Sequence, residues 1–123
     1  MLFTEKGQEK MDNVVIMFVC AGGMSSSLVV SKMQKAAEEK GLTAEIWATG
    51  VGRGKEILKD RADIDALLIG PQVRFSATEL EKVAEEKNRD TVIHVADMKD
   101  YGMVNGEKIL TDILKKLEVK NLS

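Results

Sequence analysis

The sequence predicts an α/β protein, a single domain in which a mostly parallel four-stranded sheet carries helices on both faces. Three observations lead there. Apolar runs of strand length alternate with segments of helical periodicity along the whole chain. The first run, Val14 to Val19, is continuously apolar and rich in β-branched residues, as expected of a parallel strand buried on both faces. A length of 123 residues with 44% hydrophobic content is enough for one core and gives no reason for a second.

The elements follow in order. Residues 1–12 are polar and aperiodic and are read as a tail, with the folded domain spanning 13–119 and a short C-terminal tail at 120–123. After the first strand, Ser25 or Ser26 is placed to cap a helix running to about Lys40. Val29, Val30, Met33, Ala36 and Ala37 share one face of it, and Gly41 supplies its stop. Thr43 to Ala48 alternates as a second strand. Gly50, Gly52 and Gly54 mark a loop before a short helix containing Ile57 and Leu58. Ala66 to Ile69 is a third strand, closed by Gly70-Pro71. A helix from about Ser76 to Lys87 turns Leu80, Val83 and Ala84 inward, and Thr91 to Val95 is the fourth strand. Tyr101-Gly102 reads as a turn. The last helix, Asn105 to Leu117, has Ile109, Leu110, Ile113, Leu114 and Leu117 on its core face. Crossovers between parallel strands are right-handed, and ligand sites in such sheets lie beyond the carboxyl ends of the strands, near a switch in strand order.

Composition narrows the function. Charged residues make up 31% of the chain and the formal net charge is −2, so no electrostatic argument favours nucleic acid or an anionic membrane surface. The apolar run from Val14 through Ala21 is too short to span a bilayer, and the N-terminus lacks the layout of a signal peptide. One cysteine allows no internal disulfide; one cysteine with one histidine leaves no structural zinc site. No metal or cofactor is expected. The expected setting is the reducing cytoplasm and the expected state a monomer.

The informative segment is Cys20-Ala21-Gly22-Gly23-Met24-Ser25-Ser26-Ser27, which follows the first strand. A thiolate is the nucleophilic form of cysteine and is favoured near a helix N-terminus, where unpaired N–H groups also bind phosphate. Glycines let backbone curve around an anion, and serine hydroxyls add donors. Such a loop can accept a phosphoryl group and stabilise it, because phosphoryl transfer demands mostly positioning and charge stabilisation. A buried structural cysteine at a strand end is the plain alternative. A tyrosine-phosphatase loop would place an arginine at position 26, where this chain has Ser26; without a guanidinium clamp, hydrolysis is poorly supported and the phosphoryl group stays available to another acceptor. A nucleophile elbow fails at Ser27, and Walker A and dinucleotide loops fail around Gly50 to Glu56.

This loop resembles the Cys-Ser-Ala-Gly-Met-Ser-Thr-Ser loop of enzyme IIB subunits of the bacterial sugar phosphotransferase system, lactose/cellobiose type. Leu68-Ile69-Gly70-Pro71-Gln72-Val73 is similar to the same family's third-strand exit. The likeness covers about Val14 to Glu118. Ala21 and Gly22 replace the usual Ser-Ala pair and Ser26 replaces Thr, which removes one hydroxyl near the sulfur. The resemblance implies a four-stranded parallel sheet like that of low-molecular-weight tyrosine phosphatases. It implies a relay in which a IIA phosphohistidine passes its phosphoryl group to Cys20, and the phosphocysteine passes it to a sugar at the membrane IIC permease, making the chain a phosphohistidine–sugar phosphotransferase component. Ala21, Gly22, Gly23, Met24, Ser25, Ser26 and Ser27 would then cradle the phosphate. The protein would be cytoplasmic and meet the membrane only through IIC. The sugar stays open among cellobiose-like β-diglucosides, chitobiose and lactose, with the first preferred.

Outside the loop, Pro71, Gln72 and Arg74 leave a strand exit that should neighbour Cys20 and are read as partner or charge contacts, with a solvated arginine as the alternative at Arg74. His94 lies inside a strand and is read as structural. Arg53 and Lys55 are read as surface charge, and Asp63, Asp65, Asp97 and Asp100 as solvated loop acids, any of which is a candidate general acid. Most of the methionines are read as gap-fillers, with Met24 as an apolar rim for docking or an anchor of the loop. Two other functions stay in view: a thiol phosphatase or reductase of the same fold, and a non-enzymatic domain that senses phosphate or binds a partner.

Overall fold

The computed structural model describes residues 13–21, 24–87 and 89–122, with backbone alone for Met24, Ser25, Asn121 and Leu122. The N-terminal tail read at 1–12 lies outside the described residues. The strands are β1 (Asn13–Val19), β2 (Thr43–Thr49), β3 (Ala66–Ile69) and β4 (Val92–Val95). The helices are α1 (Met24–Glu39), α2 (Val51–Asp60), α3 (Ala77–Glu86), α4 (Met98–Gly102) and α5 (Gly106–Leu122), with a 3-10 segment at Pro71–Ser76. The last helix thus runs past the boundary placed at 119.

All the strand pairings are parallel, in the order β2-β1-β3-β4. The chain steps from β1 to one side, then crosses back to place β3 on the other. The order therefore reverses at β1, and the crevice between the carboxyl ends of β1 and β3 is the switch point where sheets of this kind bind ligands.

Period-two alternation builds a core on each face. Val14, Ile16 and Phe18 of β1, with Cys20 just beyond it, face α1, α4 and α5, packing with Val29, Met33, Tyr101, Ile109, Leu110 and Ile113. Met17 and Val19 face the other way, toward Leu58 of α2 and Leu80 and Val83 of α3, with Leu67 and Ile69 of β3 beside them. Ile16, Met17, Phe18 and Val19 are fully buried, so the continuous apolar run has the two-sided burial that its composition requires.

Four details differ from the sequence reading. α1 begins at Met24, so Ser25 and Ser26 lie in its first turn rather than before it; Ser26 is turned inward and buried. α2 begins at Val51, which places Gly52 and Gly54 inside a helix and not in a loop. At Gly54 the helix presses on the sheet: an added Cβ would lie 3.0 Å from Val19 Cγ2. Residues 98–102 form α4 where a turn was read, because Asp97 caps it by accepting from the N–H groups of Lys99 (3.0 Å) and Asp100 (3.1 Å). A 3-10 segment precedes α3, kinked at Val73 (φ −122°, ψ 26°).

The N-terminus of α5 crosses α1 at close range. A Cβ at Gly106 would lie 2.6 Å from Lys32 Cβ and 2.7 Å from Met33 N, so only glycine fits without movement of α1. Gly106→Ala should lower unfolding stability by about 1–3 kcal/mol, the usual range for overpacking. Gly102→Ala, which meets nothing within 4 Å, serves as the control. Urea titration checks this; equal midpoints for Gly106→Ala and wild type would show that the helices separate freely.

Candidate functional site

Cys20 is the first residue beyond β1, and backbone hydrogen bonds hold it there. Its N–H donates to Thr49 O (2.9 Å), the last residue of β2. On the other side Val19 O accepts from Gly70 N–H (2.8 Å), the first residue beyond β3. Ile69 O accepts from Ala96 N–H (2.9 Å), which carries the same alignment to β4. The sulfur is therefore fixed by the sheet and not by the loop that follows. Cys20 is 4% exposed, and its thiol donates to Thr49 O at 3.6 Å. Ala21 is exposed.

Beyond the sulfur, α1 presents its N-terminus from Met24 with no acidic residue in its first turn. Its dipole points to the same end of the sheet, and its first turn carries no carboxylate to oppose an anion. α2 also starts at this end, again without an acid in its first turn. Because the Cys20 N–H is spent on Thr49 O, backbone donors for an anion on sulfur must come from Ala21 onward. Gly22 and Gly23 lie outside the described residues, as do the side chains of Met24 and Ser25; Ser26 is buried and Ser27 exposed.

Gly70 brings the β3 exit against this site. An added Cβ would meet Val19 O at 3.5 Å and Cys20 Cα at 3.6 Å, so this backbone runs alongside that of the cysteine. Pro71 is buried as the first residue of the 3-10 segment, whereas Gln72 and Arg74 are exposed. Arg74 Nη1 donates to Pro71 O (3.3 Å), so the guanidinium folds onto its own turn.

The four acids weighed from sequence all have structural partners. Asp63 binds Arg61 (2.7 Å), whose guanidinium holds its carboxyl below the usual range, and Asp65 accepts from Val15 N–H (2.8 Å). Asp97 caps α4, and Asp100 pairs with Lys108 (3.5 Å). Arg53 is exposed and Lys55 pairs with Glu79, in keeping with surface charge. Among the described residues, no group of three or more His, Cys, Asp or Glu could hold a metal ion.

Sequence reasoning missed two features here. Phe75 is 77% exposed and Met98 63% exposed, both just beyond strand exits at the same end of the sheet; Leu28, in α1, is also exposed. Tyr101, read as part of a turn, is instead buried in the cluster that contains Cys20. An aromatic one turn after a capping aspartate was the available signal.

Residues 15–112 match the family described as PTS system, Lactose/Cellobiose specific IIB subunit. The chain belongs to that family. IIB subunits are phosphotransferase components of sugar uptake, so phosphoryl transfer in such a system is the activity of this chain. The IIB chain is 45% identical over 93 residues to the oligo-beta-mannoside-specific EIIB component of Bacillus subtilis, covering 76% of this chain and 85% of that protein. It is 44% identical over 102 residues to the galactose-specific EIIB component of Lactococcus lactis subsp. cremoris, covering 81% and 93%. The solution structure of a cellobiose-specific IIB component from Borrelia burgdorferi superposes with a TM-score of 0.68 at 34% identity, covering 88% of this chain and 94% of that one. The fold is accordingly that of IIB domains, which is phosphatase-like. Membership implies IIA and IIC proteins as partners. No helix of the described residues is long and apolar enough to cross a membrane.

His94 sits within β4 on the side facing α5, and its Nδ1 is buried with no hydrogen-bond partner among the described residues. Burial holds its pKa below the ordinary 6.5; Lys116 and Lys108 of α5 add to this, while Asp112 of α5 and Asp100 of α4 oppose it. The unfolded chain therefore binds the proton first as pH falls. The stabilising contribution of neutral His94 is complete above about pH 6.5 and declines as pH drops from there toward the folded value. Urea unfolding across this window should show a steeper fall for wild type than for His94→Gln; parallel curves would assign the pH dependence to other groups.

Proposed function

We propose that Cys20 is the phosphorylated residue of this IIB chain. The observation that carries the reading is the position of Cys20: at the switch point of the sheet, its backbone fixed by β2 and, through Val19, by β3, four residues before a helix with no acid in its first turn. The thiolate attacks the phosphorus of a phosphohistidine on IIA. The S–P bond forms as the N–P bond breaks, and the imidazole nitrogen keeps the bonding pair. In the second step a sugar hydroxyl oxygen attacks phosphorus at IIC, the S–P bond breaks with its pair returning to sulfur, and the hydroxyl proton passes to solvent or a base of the permease. Both steps need the anion held and its charge offset, which the backbone donors from Ala21 through Ser27 and the start of α1 supply.

Survival of the phosphocysteine between partners follows from what the loop lacks. Position 26 is a buried serine and not a guanidinium, and Arg74 is turned onto Pro71 O. No described acid stands free to activate water at the sulfur, since Asp97 and Asp100 are engaged at α4. A hydrolase would need these groups, and a carrier benefits from their absence.

Partner contact falls to the same end of the molecule. Phe75, Met98 and Leu28 give an apolar rim, and Gln72 and Arg74 add polar and positive groups beside it. A transient interface of modest area, on a cytoplasmic protein that is itself monomeric, suits a carrier that meets IIA and IIC in turn. The sugar is a β-linked disaccharide of the cellobiose type in this reading. The relatives named above serve different sugars, in line with specificity residing in IIC.

Intact-protein mass after incubation with the phosphorylated IIA protein should show one added phosphoryl group on wild type and none on Cys20→Ser. The wild type should show no sustained turnover of an aryl phosphate. An equal adduct on Cys20→Ser would remove the assignment, and steady aryl phosphate turnover would make the protein a phosphatase. Reversible anion binding without any adduct would make it a sensor.

A further inference from the structure

Phe18 of β1 and Cys20, which prolongs the strand by one residue, are two residues apart and belong to the cluster on one face of the sheet, so Cys20 sits roughly 7 Å further along. The ring of Tyr101 meets that of Phe18 edge-on, with centroids 6.0 Å apart and an interplanar angle of 75°. Tyr101 belongs to the buried cluster that contains both Phe18 and Cys20. Its backbone is fixed as well: the Tyr101 N–H donates to Asp97 O (2.9 Å), and Asp97 is the cap that starts α4 beyond the exit of β4. Tyr101 is thus held on the Cys20 face of the sheet, beyond the exit of β4, by a capped helix and a ring contact, and it is not a loop residue free to turn away.

We propose that Tyr101 is a further phosphoryl-binding residue, its phenol O–H donating a hydrogen bond to the phosphoryl group carried on Cys20. This rests on the assignment of Cys20 as the phosphorylated residue. The chemistry is consistent with the surroundings. Burial first, and then the negative charge of the Cys20 thiolate, push the phenol above its ordinary 10.0, so it keeps its proton at neutral pH and remains a donor. A neutral donor can hold a dianion on sulfur without the electrophilic clamping of a guanidinium, which suits a group that must be handed on. It also supplies a hydroxyl at a loop whose Ala21 has none.

The sequence contains a single tyrosine, so tyrosinate absorbance reports on Tyr101 alone. In alkaline titration, phosphorylation of the wild type should move the phenol midpoint upward, because the phosphoryl dianion accepts from the neutral form and repels the phenolate. Tyr101→Phe keeps the ring and its contact with Phe18. It should fold with an unchanged urea midpoint, take phosphoryl from IIA about tenfold more slowly and lose it to water about tenfold faster, the size expected for one hydrogen bond to a charged group. A wild-type capture rate in Tyr101→Phe, or a phenol midpoint that phosphorylation leaves in place, would overturn the proposal while leaving Cys20 as the carrier. Absence of any adduct on wild type, or an adduct that persists in Cys20→Ser, would overturn both.

Discussion

The hydrogen bonds at the carboxyl end of the sheet set everything that happens at this site. Cys20 N–H on Thr49 O and Gly70 N–H on Val19 O prolong the ladders of β1 by one residue on each side. Cys20 therefore inherits the fixed position of a central strand buried on both faces. Core packing enforces the arrangement from beneath. Gly54 lets α2 lie on Val19, and Phe18 fills the opposite face under Tyr101. A shift of β1 would disturb the two cores and the sulfur together, which is why positioning here is a property of the whole fold.

Much of this was legible in the sequence, for reasons specific to each element. The strands were readable because β1 and β3 are buried on both sides and so carry unbroken apolar runs. The cysteine loop stood out as a candidate site because a run of small residues after a strand offers little to packing and leaves backbone donors accessible. The helix starts were less readable. Glycine normally argues against helix, yet Gly52 and Gly54 are helical because α2 must lie close to the sheet, and tertiary contact outweighs a local propensity of about 1 kcal/mol. α4 escaped notice because a five-residue helix has too few turns to show periodicity; its signal was the cap at Asp97. Phe75 and Tyr101 went unread because one aromatic ring among polar neighbours does not reveal whether the fold turns it outward or inward.

The charged groups divide between two tasks. Arg61 bridges Glu45 (3.2 Å) and Asp63 (2.7 Å) and lies over Trp47 with 5.0 Å to the ring centroid, tying the start of β2 to the connection before β3. That staple is at the end of the sheet away from Cys20. At the cysteine end, where Arg74 is turned onto Pro71 O, the proposed phosphate site relies on helix N-termini and neutral hydroxyls. An anion held by dipoles and neutral donors is bound without the deep electrostatic well that a fixed cation would create, so release is not penalised.

Only one end of the sheet carries the sulfur, and that has a consequence for traffic. On the proposed assignment of Cys20, donor and acceptor must approach the same end of the sheet, where Phe75 and Met98 are exposed, so they exclude one another. The relay then behaves as a shuttle with alternating occupancy: each visitor must depart before the next can dock. Throughput is governed by residence time rather than by tightness of grip, and a variant that held either partner more firmly would stall sugar entry even with its chemistry intact.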